Sequence, residues 1–531
     1  MEVCHTPDIF ESPAAQRLRQ FIRERVQAWQ SGTPEFEAFE RELHEQMMVF
    51  ERELVAEELA RYDVAAEQIE VSGVRYQPVL TTPETYLSAA GPVRVVRHLY
   101  RPAGRNARSI CPLELRVGMV AGYWTPRAAR LGAFVVAQLT PGETAALFQE
   151  LGAMCPSRSS LDRLPRDLSS HWEKRREVWE DALRAQETIP AAATTVALSV
   201  DGVMAPMKAA AEQRQVKRAE AGKHASGPTG YREVGCGTVS LYDRQGERLQ
   251  TVRYARMPER NKVTLQTQLQ AELRALVELC PALRQVHLAD GAEGNWTLLA
   301  ELAQALGLSH DDIIEIVDFY HACDHLKNGC DAIWGESTPR GHAEFLRLKT
   351  LLKEDDQGAE RIIWAFKYQL TRLKGRRHQR LQAELTYFRN QRARMQYAEY
   401  QRLHLPIASG VMEAACQTLV TQRLKRSGMA WTPNGGQAIL TLRSLIQSHR
   451  WPTAWQLLST DFRQTVILRA GGHPSVATAA PISIVSSPPT GTLNAVDYAA
   501  SHWSHSAEHL YSQFQRCTHV TFKAPNELCG I

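Results

Sequence analysis

Apolar positions first recur at steps of three and four at Phe36, Phe39, Leu43, Met47, Phe50 and Leu54. That period marks one face of an amphipathic helix. Thr33 followed by Pro34 supplies a capping residue and a proline at the first helical position. Nine acids and three arginines lie between Glu35 and Arg61. Residues 1–90 are therefore expected to be an acidic helical region, either packed or meeting a partner. Val93, Val95 and Val96 make a short strand-like run before a basic loop with Arg101, Arg105 and Arg108. The helical period then returns. Thr140-Pro141-Gly142-Glu143 has the form of a capping box, Ala146, Leu147 and Leu151 follow, and Gly152 ends the helix. Ser157 can cap a second helix carrying Arg158, Leu161, Arg163 and Leu164. Helix, glycine turn and basic helix outline a helix-turn-helix DNA reader, an outline that plain helical hairpins share. Pro165 is expected to end or kink the second helix. Residues 91–190 thus read as a helix-turn-helix-like DNA-binding region, with Ser157, Arg158 and Arg163 as contact candidates. The N-terminal part as a whole reads as mainly α-helical.

Past residue 191 strands alternate with helices. Thr194–Val200 is β-branched and apolar and runs into Asp201-Gly202. Glu233–Tyr242 and Leu249–Ala255 are two more strands, joined by the turn Asp243-Arg244-Gln245-Gly246. A helix with Leu265, Leu269, Leu273 and Leu276 on one face precedes the strand Val286–Ala289, which ends in Asp290-Gly291. A helix with Leu298, Leu299, Leu302 and Leu306 leads to the strand Ile313–Val317, ending at Asp318. From there to Arg450 the pattern is helical. Three antiparallel strands extended by two parallel ones argue for a mixed α/β sheet. Residues 207–230, rich in Ala, Lys, Arg and Gly, read as a basic insertion between the first two strands.

Composition narrows the class. At 531 residues, about three or four domains are expected. With 44% hydrophobic and 23% charged residues, a disordered or fibrous chain is excluded. No apolar run approaches the roughly 18–20 residues of a membrane helix. The start carries Glu2 and no apolar stretch follows, unlike a signal peptide. The ten cysteines include no C-x-x-C pair, which suits reduced thiols. A cytoplasmic, nucleoid-associated protein with no membrane contact is the expectation. The net charge of +4 hides a local block: residues 361–402 hold eleven Arg or Lys and two acids, Glu384 and Glu399. Such a block fits a polyanion contact as well as a solvated helix face. Residues 466–531 read as a Ser/Thr/Pro/Ala linker and an extension of unknown role.

Asp201 and Asp290 each end a strand and precede a glycine that frees the backbone for a sharp exit, and strand ends are where open α/β sheets bind ligands. Glu413, in Ser409-Gly410-Val411-Met412-Glu413-Ala414, would sit in the first turns of a helix capped by Ser409. Three such oxygens suit hard divalent cations, and two ions roughly 3.5–4 Å apart can serve an in-line phosphoryl displacement. Each acid taken singly also fits a turn or surface residue. His321, Cys323, His325 and Cys330 do not make a zinc site. On a helix, the cysteines lie about 140–200° round from the histidines. Trp296 and Trp431 can stack on bases beside cations or serve as core, and Arg423, Lys425 and Arg426 are phosphate-contact candidates.

The segments Ser199–Met204, Ala289–Ala292, Asp318–His321, Ser409–Ala414 and Arg423–Trp431 resemble those of bacterial insertion-sequence transposases of the ISKra type. The resemblance spans roughly residues 110–451. It implies a DDE enzyme with a ribonuclease H-like core at 191–450, distantly similar to the Mutator-like group. A helical insertion would occupy about 335–405. By this resemblance Asp201, Asp290 and Glu413 are the catalytic triad holding two Mg²⁺ (or Mn²⁺). Asp318 and His321 form a D-x-x-H element that contacts DNA, or that caps and packs at a strand end. Double-stranded DNA, as terminal inverted repeats and target, and a homo-oligomer on DNA are the implied partners. Relatives carry a Cys-pair zinc element just before the position of Cys111; Tyr100–Arg105 holds none, so no zinc is expected. Two other readings remain: a catalytically inactive DNA-binding protein derived from a transposase, and a glycoside hydrolase using paired acids. The basic block argues against the hydrolase.

Overall fold

The computed structural model describes residues 12–31, 35–102, 108–208, 228–470 and 473–475. Thr33-Pro34, most of the 207–230 insertion and nearly all of the 466–531 extension lie outside the described residues. No described helix is long and apolar enough to cross a membrane.

Helices α1 (Pro13–Ser31) and α2 (Phe36–Arg61) open the chain. Phe21 stacks on Phe39 at 5.9 Å between ring centroids. Along α2 only Leu59 is buried, and Phe36 and Met47 are exposed. The expected helical region then gives way to strands β1 (Gln68–Val71), β2 (Val74–Ser88) and β3 (Gly91–Pro102). The physical reason is a pair of tight hairpins. Ser72 and Gly73 both have positive φ (49° and 78°) and join Val71 to Val74, the two-residue turn that twisted strands favour. Ser88 pairs with Gly91 across the second. Pro78 and Pro83 disguise β2 in the sequence. They are tolerated because β1 pairs with β2 only as far as Tyr76, leaving that edge free of ladder bonds.

Four helices follow: α3 (Pro112–Val117), α4 (Pro126–Gln138), α5 (Pro141–Glu150) and α6 (Arg158–Gln186). The capping box forms at Thr140–Glu143, and Ser157 caps α6 by accepting from the Ser160 amide. Pro165 neither ends nor breaks α6, which runs for 29 residues. Leu161, Leu164, Pro165, Leu168 and Trp172 are all buried, and that burial offsets the lost backbone bond. Beyond the helical module α6 becomes a strut: Glu173 takes a bidentate bond from Arg256, and Arg184 pairs with Glu272, both on the sheet domain.

The second sheet is built from β4 (Thr195–Lys208), β5 (Pro228–Tyr242), β6 (Arg248–Arg256), β7 (Arg284–Ala289) and β8 (Ile313–Val317), in the order β6-β5-β4-β7-β8. The first three are mutually antiparallel, and β7 and β8 add in parallel. Crossover helices α7 (Val263–Leu279) and α8 (Glu293–Ala305) bury Leu265, Leu269 and Leu273, and Leu298, Leu299 and Leu302, against Val196, Leu198, Val286 and Ile316. Helix α9 (Phe319–Trp334) leaves β8 and carries the helical layer α10 (Pro339–Glu354), α11 (Gly358–Leu370), α12 (Gly375–Gln391) and α13 (Tyr397–Arg402). The chain returns through α14 (Gly410–Ala415), a π-helical segment Cys416–Thr421, α15 (Pro433–Gln447) and α16 (Trp451–Asp461). Strands β9 (Ile467–Ala470) and β10 (His473–Ser475) close the N-terminal sheet in the order β10-β9-β1-β2-β3.

Candidate active site

The parallel registers place three aspartates level with one another. β4 pairs with β7 through Ser199–Leu288, and β7 with β8 through Ala289–Val317. Two residues beyond the first pair are Asp201 and Asp290; one beyond the second are Asp290 and Asp318. Asp201 does not end its strand, as the sequence reading expected. β4 continues to Lys208 against β5, and only its pairing with β7 stops at Ser199. The strand thus parts from its parallel neighbour beside the acid.

Gly202 serves no sharp exit, since β4 runs on through it, while Gly291 sits at a bend. A Cβ on Gly202 would lie 1.8 Å from Oε1 of Glu233, and one on Gly291 would lie 2.2 Å from a Tyr387 ring carbon. Each acid is followed by glycine because another side chain packs over the backbone there.

Each carboxylate is held differently. Asp201 Oδ1 accepts from the Gly202 amide at 2.6 Å, and Cys416 Sγ donates to Oδ2 at 3.6 Å. Burial, then the nearby charge of Asp290, raises its pKa above the ordinary carboxylate range. Asp290 Oδ1 accepts from the Ala292 amide at 3.0 Å and Asn295 Nδ2 at 2.9 Å. Asp318 is fully buried and caps α9. Its Oδ1 accepts from the His321 amide at 2.7 Å, and its Oδ2 takes a short bond from the Ser409 amide. These bonds offset burial and lower its pKa.

Asp318 thereby pins the start of α14, the helix that carries Glu413. The expected side-chain cap from Ser409 is absent; its backbone amide is used instead. Met412 and Ala415 anchor α14 in an apolar cluster with Ala205, Val234 and Cys236, and Glu413 is left exposed. Donor atoms of Asp318, His321 and Glu413 lie within 4.8 Å of one another, a group able to hold a metal ion. His321 Nδ1 is 3.4 Å from Asp318. That contact, with the charges of Asp290 and Asp201 behind it, raises the imidazole pKa to about 9 despite burial. Asp201 and Asp290 reach His321 through their charge, and neither belongs to the group of Asp318, His321 and Glu413 whose donor atoms lie within 4.8 Å. His321 both contacts Asp318 at the strand end and faces the acids.

The remaining candidates divide. Ser157, Arg158 and Arg163 are exposed at the start of α6, and Lys425 is exposed. Arg426 forms a bidentate pair with Glu143 at 2.6 and 2.5 Å, holding the chain after the π segment onto α5. Two expected contacts, Trp296 and Arg423, are corrected, and Trp431 is half-buried. Trp296 is buried, donates from Nε1 to the Asp290 carbonyl at 2.8 Å, and has the Arg394 guanidinium 4.0 Å above its ring. No face is left for a base. Arg423 is 2% exposed; it donates to the Val136 carbonyl and lies 5.2 Å over the Trp431 ring. Trp431 extends β4 through backbone bonds with Lys208 and Pro206. Trp296 packs in the core of the second sheet, and Trp431 packs against the apolar cluster that holds Met412 and Ala415.

Tyr387 was not singled out in the sequence. It stacks on His325 at 3.6 Å, and its buried hydroxyl has no hydrogen-bond partner among the described residues. A lone tyrosine within a helical pattern carries no signal of its own. Of the zinc candidates, Cys323 and Cys330 are buried in the apolar core, while His325 binds Glu384 at 2.6 Å.

No family model and no curated protein sequence matches the chain. Among solved structures, a Drosophila P element transposase strand transfer complex matches with 13% identity and a TM-score of 0.24, over 64% of this chain and 81% of that one. A TM-score of 0.24 is below the level at which two chains share a fold.

Proposed function

We propose that the chain is a DNA transposase of an insertion sequence with a ribonuclease H-like DDE core. It would hydrolyse a phosphodiester at an element end and then transfer the freed 3′-hydroxyl into target DNA. One observation carries the reading: Asp201, where β4 parts from β7, stands level with Asp290, and Glu413 sits on a helix pinned through Asp318, its carboxylate within 4.8 Å of the Asp318 and His321 donor atoms. The donor set fits hard divalent ions, since it offers carboxylate oxygens with one exposed arm and no buried thiolate. Asp201, Asp290 and Glu413 would hold Mg²⁺ or Mn²⁺, two ions, whose contribution is to polarise the phosphate and lower the pKa of the attacking water.

The protein's own residues do the rest. Asn295 and the Ala292 amide fix the Asp290 carboxylate, and Gly202 fixes that of Asp201, so neither reorganises when a phosphate arrives. His321, cationic at neutral pH through its bond to Asp318, faces a non-bridging phosphate oxygen. Ser157, Arg158 and Arg163 at the start of α6, with Lys425, are the proposed duplex contacts. Joining two ends calls for a second copy of the chain.

The test is cleavage of a labelled element end by the purified full chain with Mg²⁺, beside Asp290→Asn and a chelator control. Cleavage lost in both controls supports the reading. Cleavage by Asp290→Asn equal to the parent removes Asp290 from the site. Tight duplex binding without cleavage by the parent identifies an inactive DNA-binding protein instead.

A further inference from the structure

Helix α11 buries Ala359, Ile362, Ile363 and Phe366 on one face. At about 100° per residue, Trp364 and Tyr368 stand at the middle of the opposite face. They are 67% and 56% exposed, and Trp364 is the most exposed tryptophan among the described residues. A solvent-facing stripe of two large aromatic side chains is costly for a helix that already has a buried face. Each ring carries a cation. Lys367 Nζ lies 4.8 Å from the Trp364 centroid, and the Arg372 guanidinium lies 4.1 Å from that of Tyr368, whose hydroxyl it also contacts.

The basic block is not uniformly available. Arg361, Arg380, Arg392, Arg394 and Arg402 are tied to Asp355, Glu336, Glu360, Glu315 and Asp356. Arg377 donates to the Ala332 and Ile333 carbonyls. Among the described residues, Lys367, Arg372, Lys374, Arg376 and Arg389 have no acidic partner. Arg389 lies in the last turn of α12, while the other four gather at the end of α11 and the turn into α12. Most of the unpaired positive charge of the block therefore lies beside the two exposed rings.

We propose that this face of α11 and the following turn is a binding site for single-stranded DNA: two bases stack on Trp364 and Tyr368 while Lys367, Arg372, Lys374 and Arg376 hold the flanking phosphates. Charge complementarity selects a polyanion, and the free ring faces select one whose bases are unpaired. In duplex DNA those faces are already stacked. The inference rests on the DNA reading above for the choice of polyanion, and it concerns a surface outside the carboxylate cluster.

The experiment measures binding of the full chain to a fluorescein-labelled oligothymidylate of about 15 nucleotides and to a duplex of the same length. The parent is expected to bind the oligothymidylate with affinity that falls steeply with salt. The double variant Trp364→Ala/Tyr368→Ala is expected to lose about tenfold or more on the single strand and keep its duplex affinity. Trp364→Phe/Tyr368→Phe is expected to stay close to the parent. Equal single-strand affinity for parent and alanine variant overturns the site. So does an equal loss on single strand and duplex, which would make the face a general phosphate contact. A parent that binds duplex but no single strand overturns this inference and leaves the transposase reading standing; a parent that binds neither overturns both.

Discussion

Asp318 shows how a single carboxylate can hold two elements. It is fully buried, yet both oxygens are used, one by the first turn of α9 and one by the Ser409 amide. Asparagine in its place turns an NH₂ group toward one of those amides. Asp318→Asn is expected to lower unfolding stability by about 1–3 kcal/mol in urea titrations. It should also reduce cleavage more than substrate binding, because Glu413 loses its fix. Unchanged cleavage with reduced stability would leave Asp318 a purely structural cap. His287 gives the opposite kind of prediction. Its ring is 1% exposed in the middle of β7, its Nε2 has no partner among the described residues, and burial lowers its pKa to about 4. The unfolded chain takes up the proton below about 6.5 while the folded one resists it. The stability contributed is full above that pH and is lost as pH falls toward 4, by up to about 3 kcal/mol. Melting curves across that window should show the loss, and His287→Leu should flatten it.

Among the elements, α12 docks on the Asp290 loop through the Tyr387 ring. A Cβ on Gly291 would overlap the Tyr387 ring, so Gly291→Ala is expected to cost about 1–3 kcal/mol through overpacking. Adding Tyr387→Ala should return part of that cost, and a double-mutant cycle by thermal unfolding measures the coupling. What could be read in advance follows from period. The five strands of the second sheet and the leucine faces of α7 and α8 stood out because alternation and 3.6-residue spacing mark half-buried elements. Of the first sheet only the Val93–Val96 run of β3 was read; β1 and β2 were missed because prolines interrupt β2 and the deciding Ser72-Gly73 turn is only two residues long. Pro165 misled for the converse reason: a local breaker was outweighed by burial along α6, which only the folded partners reveal. Asp290 and Asp318 were legible as strand ends, whereas Asp201 lies inside β4, where only the pairing with β7 stops. That Trp296 and Arg423 are buried depends on distant partners such as Arg394 and Val136.

At the scale of the molecule, charge joins the helical module to the second sheet. Arg450, 4% exposed between α15 and α16, binds Glu187 on one side and Glu272 and Tyr254 on the other, all within 2.9 Å. Arg450→Met leaves Glu272 buried with Arg184 as its remaining cation, and is expected to cost about 3–5 kcal/mol in denaturant titrations. The N-terminal sheet makes a different long-range demand, since Glu70 on β1 pairs with Ile467 on β9. At about 5–20 residues per second, the roughly 400 residues between them take a ribosome about 20–80 s to add. Throughout that interval β1 presents unpaired amides and carbonyls, a template for another chain. A polysome would hold several such nascent chains side by side, so the interval before β9 arrives is when cross-chain strand exchange competes with native closure.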